Sequence, residues 1–186
     1  MLPILLALVT VPVYLKLVGP DRYGVLAIAW LLLGYFGLFD LGLGKATTYS
    51  IAALKDASAQ DRADVFWTAI LTNVIMGVAG ALVLWAASAF FFDQIFKVDA
   101  KLRPEIMAAV PYLSLAVPIA TMTGVLSGAL QARDRFLETN MISVLSTSLF
   151  QVFPILVAVA WGPNLSNLLL ASIAARAVAI AVLWWR

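Results

Sequence analysis

The chain has 186 residues, of which 63% are hydrophobic and 12% are charged, and its formal net charge is +2. Soluble domains carry roughly twice that share of charged residues, so this composition excludes a soluble domain with a polar surface and predicts a protein whose exterior faces lipid. Because the chain has no Cys and no His, and its cations form no basic face, the sequence excludes disulfides, thiolate metal sites and histidine-based catalysis, and it indicates no cofactor, no metal and no nucleic-acid partner.

Six apolar segments, separated by short polar connections, predict an all-α membrane protein with about six transmembrane helices. A helix needs about 20 mainly apolar residues to cross the hydrocarbon core of a bilayer. The first segment is short, and its only Lys follows the apolar run, which does not fit a signal peptide. We interpret it as a first helix that lacks its start, or as a shallow helix that begins at Met1. The predicted spans are residues 1–18, 23–50, 65–92, 105–130, 139–161 and 168–185.

The fourth predicted span contains Gly124 and Gly128, a pair of small residues four positions apart. Such a pair lies on one face of a helix and permits the close approach of a neighbouring helix. We interpret the pair as a packing feature within the bundle and not as a signal for dimerisation.

The fifth predicted span carries four polar residues spaced three, four and four positions apart: Asn140, Ser143, Thr147 and Gln151. At 100° per residue they fall within an arc of about 80° on one face of the helix. This face therefore avoids lipid. It either forms hydrogen bonds with neighbouring helices or lines a water-filled cavity.

Two ionisable residues lie inside predicted spans, Asp40 in the second and Arg176 near the middle of the sixth. Arg stays protonated in proteins, and its cost at the centre of a spanning helix begins at about 2.5 kcal/mol. Arg176 therefore pairs with Asp40, reaches an interface, or lies in a cavity where its guanidinium binds a phosphate. Asp40 is either that partner, a group that couples transport to an ion, or a headgroup-level residue at an early helix end.

Three sequence motifs together resemble those of one family. Residues 12–24, PVYLKLVGPDRYG, resemble the P-x-x-x-x-x-x-G-x-x-x-Y-G opening of the Wzx-type oligosaccharide flippases, which are in the MOP (MATE-like) exporter superfamily. Residues 39–44, FDLGLG, resemble the x-D-L-G-L that follows one helix later. Residues 128–136, followed by Asn140, are similar to the family's short loop after the fourth span. The order and spacing of the motifs carry the resemblance.

The resemblance implies a multi-pass transporter of the bacterial inner (cytoplasmic) membrane, built from twelve to fourteen helices in two lobes. Such a protein flips undecaprenyl-diphosphate-linked oligosaccharide toward the periplasm by alternating access, for O-antigen, capsule or exopolysaccharide. Residues 1–186 would form one lobe of it, a single transmembrane domain whose partner is a missing second lobe. The resemblance also places the start of the chain in the cytoplasm, whereas nearly equal numbers of Lys and Arg in alternate connections leave the orientation open.

On this resemblance, Arg176 attracts the diphosphate or head group of the lipid-linked oligosaccharide. Asp40 either couples transport to H⁺ or Na⁺ or holds Arg176 in place. Arg133 and Arg135, in a predicted cytoplasmic loop, either attract anionic head groups or are solvated loop charges. The expected partners are the lipid-linked oligosaccharide and membrane lipids. The residues expected to line the cavity are Asn140, Ser143, Thr147 and Gln151.

Three other functions stay open from the sequence alone. The first is another exporter of the same superfamily, either a lipid II flippase or a drug/cation antiporter. The second is a membrane enzyme acting on polyprenyl phosphates, which would need a cluster of acids for a metal, whereas the acids of this chain are scattered. The third is a structural or assembly protein without transport activity.

Overall fold

A computed structural model of the protein describes residues 2–36, 42–90 and 101–186. The described residues form seven α-helices and no strand, which confirms the predicted all-α class. In chain order the helices are α1 (Leu2–Val18), α2 (Pro20–Phe36), α3 (Leu43–Ala53), α4 (Ala59–Phe90), α5 (Arg103–Gln131), α6 (Phe136–Trp161) and α7 (Leu165–Trp185).

Helix length and composition identify a protein that crosses a membrane several times. In the described part of the chain, four segments are long and apolar enough to span a bilayer: Ala59–Ser88, Arg103–Gln131, Phe136–Trp161 and Leu165–Trp185. A shorter apolar helix covers Ile4–Val18. Large apolar side chains such as Leu82, Val83 and Val159 point outward from the bundle. Such a surface is stable only against lipid or another apolar protein surface, so the chain is a multi-pass membrane protein.

The second predicted span, 23–50, contains two described helices, α2 and α3. Helix α3 begins directly after Gly42, whose φ of 80° lies in the left-handed region. A regular helix cannot pass through this conformation, and glycine adopts it without steric cost. Residues 37–41, which include Asp40, lie outside the described residues.

Helix α4 begins at Ala59, before the predicted start of the third span at residue 65. The reason is a reciprocal cap formed by Ser58 and Asp61. The Ser58 hydroxyl accepts from the Asp61 N–H (3.1 Å), while the Ser58 N–H donates to the Asp61 carboxylate (3.2 Å). Such a capping box stabilises the first turn of a helix in water. The helix therefore continues beyond its apolar part.

One end of the bundle, hereafter the first end, joins three separate parts of the chain through Glu105. The Arg22 Nε donates to one carboxylate oxygen of Glu105 (3.0 Å), and the N–H of Leu165 donates to the other (2.7 Å). The beginnings of α2, α5 and α7 thus lie together. At the opposite, second end lie the α3–α4 turn, the α5–α6 turn and the end of α7. Among the described turns, those after α1 and α6 therefore lie at the first end, and those after α3 and α5 lie at the second.

Helix α5 is the most buried of the four spanning segments described, and it packs against α3, α4 and α7. A Cβ atom at Gly128 would collide with the backbone of α3 at Gly44, so the two helices touch here through their main chains. The Thr48 hydroxyl donates to the carbonyl oxygens of both glycines, at 3.0 Å to Gly44 and 3.1 Å to Gly128. The structure thus shows at Gly128 the close approach predicted from the sequence.

Candidate functional site

Arg176 lies on α7 and is half-buried inside the bundle. Its Cζ lies 4.7 Å from the centroid of the Phe150 ring on α6, the geometry of a cation–π contact. Its Nε is buried and has no hydrogen-bond partner among the described residues. In the same described ranges no carboxylate lies within ion-pair distance of Arg176. The ring thus supports the guanidinium without neutralising its charge.

Phe150 is fixed in turn by an aromatic chain formed by Tyr23, Tyr14, Trp30 and Phe150. Ring centroids along it are 5.8, 5.3 and 5.4 Å apart. The Trp30 indole N–H donates to the Ser172 hydroxyl (3.2 Å), and the Tyr14 hydroxyl donates to the carbonyl oxygen of Gln151 (2.7 Å). Since the polar atoms of the buried Tyr14 and the half-buried Trp30 side chains have partners, neighbouring helices hold Phe150 in one position.

The guanidinium borders a cleft of about 180 Å³ between α5, α6 and α7, which we call the Arg176 cleft. Six hydroxyl side chains line it, two from α5 and four from α6: Thr123, Ser127, Thr139, Ser143, Ser146 and Thr147.

The hydroxyls of the Arg176 cleft differ in what they can offer a ligand. Those of Thr123, Thr139 and Thr147 each donate to the backbone carbonyl oxygen four residues earlier, at 3.1, 3.0 and 2.9 Å, so their lone pairs remain as acceptors. Within the described residues those of Ser127, Ser143 and Ser146 make no hydrogen bond and can donate. A cation with several hydroxyl donors and acceptors can bind a phosphate oxygen or the hydroxyls of a sugar.

The Arg176 cleft contains three of the residues predicted from the sequence, Arg176, Ser143 and Thr147. Asn140 is exposed and does not line it, and Gln151 lies farther along α6, where its carbonyl contacts Tyr14 of α1. The predicted polar face of α6 therefore does not line a single cavity. Ser143 and Thr147 border the cleft, whereas Gln151 contacts α1. Asp40 lies outside the described residues, so its predicted pairing with Arg176 stays a prediction.

Among the residues that line the cleft, Thr123, Ser127, Thr139, Ser146 and Phe150 were not predicted from the sequence. A signal was present for the first two, because Thr123 and Ser127 are four positions apart and lie on one helix face. Hydroxyl pairs of this kind also satisfy themselves within a helix, so the spacing alone does not indicate a cavity. Only the packing of α5 against α6 and α7 identifies that face as part of the cleft.

These features define an all-α, multi-pass membrane protein with a cationic, hydroxyl-lined cleft inside its helix bundle. Residues 1–185 match the family described as "Polysaccharide biosynthesis protein", and the chain belongs to that family. The resemblance drawn from the motifs is thereby confirmed.

One similar protein is known from Shigella flexneri and is described as "Putative O-antigen transporter". It is 26% identical to this chain over 181 residues, which cover 97% of this chain and 43% of that protein. The chain thus spans less than half the length of this relative. No solved structure matches the chain.

Proposed function

We propose that this chain is one lobe of an exporter that flips undecaprenyl-diphosphate-linked oligosaccharide across the bacterial cytoplasmic membrane, for O-antigen, capsule or exopolysaccharide. The family, and the description of the Shigella flexneri relative as an O-antigen transporter, support transport of such a molecule. The observation that carries the proposal is the Arg176 cleft, with its guanidinium beside the hydroxyls of two other helices.

The chemistry of the Arg176 cleft fits the junction between a diphosphate and a sugar. The planar guanidinium can donate two parallel hydrogen bonds to one phosphate, which also neutralises its charge in a low dielectric. The free hydroxyls of Ser127, Ser143 and Ser146 then provide donors to sugar or phosphate oxygens. Because a volume of about 180 Å³ holds only a part of such a ligand, the remainder needs a second wall. We assign that wall to a second lobe, and alternating access to the rocking of the two lobes.

The proposed orientation places the second end of the bundle, with the α3–α4 and α5–α6 turns, in the cytoplasm. It follows from the family resemblance, which starts the chain on that side. Asp40 remains our candidate for coupling to H⁺ or Na⁺. A carboxylate in an apolar span would respond to either ion through its charge.

A positively charged cleft argues against an antiporter of organic cations, because Arg176 would repel the substrate. Reconstitution of the complete gene product in proteoliposomes separates the two transport functions. Lipid-linked oligosaccharide loaded in the inner leaflet should become accessible to an external, membrane-impermeant glycosidase, whereas a fluorescent organic cation should not move. Movement of the cation with the oligosaccharide left inside would contradict the proposal.

A further inference from the structure

A second and larger cleft, of about 720 Å³, opens at the second end of the bundle. Its cationic side chains come from the α3–α4 turn, the start of α4, the α5–α6 turn and the residue after α7: Lys55, Arg62, Arg133 and Arg186. Among the described residues that line it there is no acid, and none of the four cations has an ion pair in the described part of the chain. We call this the basic cleft.

Below the cations, the wall of the basic cleft is apolar. Its largest side chains are those of Phe66 on α4, Leu126 and Leu130 on α5, and Leu183 and Trp184 on α7. Ring centroids of Phe66 and Trp184 are 6.2 Å apart, so the aromatic side chains connect α4 to α7 across the cleft. The described lining contains no hydroxyl and no side-chain amide, in contrast to the Arg176 cleft.

The rim of the basic cleft is held in shape by Arg62. Its Nη1 donates to the carbonyl oxygens of Leu54, Lys55 and Ala57, at 3.3, 2.9 and 3.0 Å. These carbonyls belong to the end of α3 and the turn that follows, where helical partners are missing. Arg62 therefore fixes the turn against α4, whereas Lys55 and Arg133 are exposed and their side chains donate no hydrogen bond within the described residues.

A ligand for this cleft needs an anionic group at the rim and an apolar body below it. A free phosphate would leave the apolar wall uncovered, and an oligosaccharide would lose hydrogen bonds to water without gaining partners. We propose that the basic cleft binds an anionic phospholipid of the surrounding bilayer, with its phosphodiester at Lys55 and Arg133 and its upper acyl chains against Phe66 and Leu183. Basic clefts between the ends of transmembrane helices bind lipid head groups in this way.

This site does not depend on the proposed transport function, and its test measures binding. The purified complete protein is titrated in a mild detergent with phosphatidylglycerol, and the bound lipid is counted by native mass spectrometry while thermal unfolding is followed. Parallel titrations use phosphatidylcholine, inorganic phosphate and undecaprenyl-diphosphate-linked oligosaccharide. We expect saturable binding of phosphatidylglycerol and a higher unfolding temperature, because the lipid bridges α4 and α7.

The double variant Lys55→Gln/Arg133→Gln should bind phosphatidylglycerol about 30-fold more weakly, since each Lys or Arg contributes roughly a fivefold gain near an anionic head group. The matched control Lys16→Gln/Lys101→Gln removes the same charge outside the cleft and should bind like the unaltered protein. Should the double variant fail to fold, each single variant should still lose about fivefold. Equal losses in the variant and its control, an equal effect of inorganic phosphate, or preferential binding of the oligosaccharide in this cleft would overturn the proposal.

Discussion

Replacing Arg176 with leucine in the complete protein should lower the proposed flipping of lipid-linked oligosaccharide by about 10- to 140-fold. Hydrogen bonds to a charged group contribute about 1.5–3 kcal/mol, and each 1.4 kcal/mol corresponds to a factor of ten. Arg176→Lys should lie between leucine and the unaltered protein. It keeps the charge and loses the planar pair of donors that matches a phosphate. The proteoliposome assay measures all three proteins under the same conditions.

Lys16→Leu is a suitable control, because it removes an exposed cation at the end of α1, away from the Arg176 cleft. Thermal unfolding of each variant separates loss of function from loss of structure. Normal flipping by a folded Arg176→Leu protein would contradict the assignment. If Asp40 and Arg176 form an ion pair, a different result is expected. The double variant Asp40→Asn/Arg176→Leu should then lose less flipping activity than the two single variants combined.

Introducing an acid into the same cleft should separate function from stability. Ser146 lines the Arg176 cleft and makes no hydrogen bond within the described residues. In Ser146→Asp the new carboxylate would pair with the guanidinium and repel a diphosphate, so flipping should fall by more than about tenfold. The unfolding temperature should stay the same or rise, because the half-buried Arg176 guanidinium gains an ion-pair partner.

Ser146→Asn is the matched control, since it adds a side chain of nearly the same size without charge. It should retain most of the flipping activity. Similar losses in Ser146→Asp and Ser146→Asn would indicate that size matters at this position and that charge does not, which would contradict an anion site at Arg176.

The last four predicted spans overlap helices that are long and apolar enough to cross a membrane, because hydropathy reports the part of a helix that faces lipid. Hydropathy does not report where a helix begins in water. It therefore missed the early start of α4, which the capping box of Ser58 and Asp61 stabilises. It also could not divide the second span, because the positive φ of Gly42, directly before α3, is a backbone conformation that hydropathy does not report. The early start of α4 and the division of the second span both depend on local interactions and backbone conformation.

Residues of the candidate site could be predicted where a polar side chain lies within an otherwise apolar span. Arg176, Ser143 and Thr147 stand out in apolar spans, and the structure brings them to one cleft. Thr123 and Ser127 do not stand out, because their role depends on which face of α5 meets α6 and α7. That face is set by close packing elsewhere on α5, including the contact of Gly77 with Pro118, which spacing within one helix cannot reveal.

The basic cleft illustrates the same limit for charged residues. Taken one connection at a time, Lys55, Arg62 and Arg133 look like solvated loop charges. The antiparallel packing of α4 with α5 and the turn after α3 bring them to the rim of one cavity. Grouping across connections is a property of the fold, so charge counting along the chain could not predict it.

We propose that the inside of this bundle offers a wet, cationic site to a lipid-linked oligosaccharide. Cysteine accessibility tests it most directly, because the chain has no native Cys. In the complete protein, Ser143→Cys should react with a water-soluble, membrane-impermeant maleimide, and lipid-linked oligosaccharide should slow that reaction. Leu145→Cys, on an exposed apolar part of the same helix, should react slowly whether or not the substrate is present. Equal labelling at the two positions, or labelling at Ser143→Cys that the oligosaccharide does not change, would contradict the account.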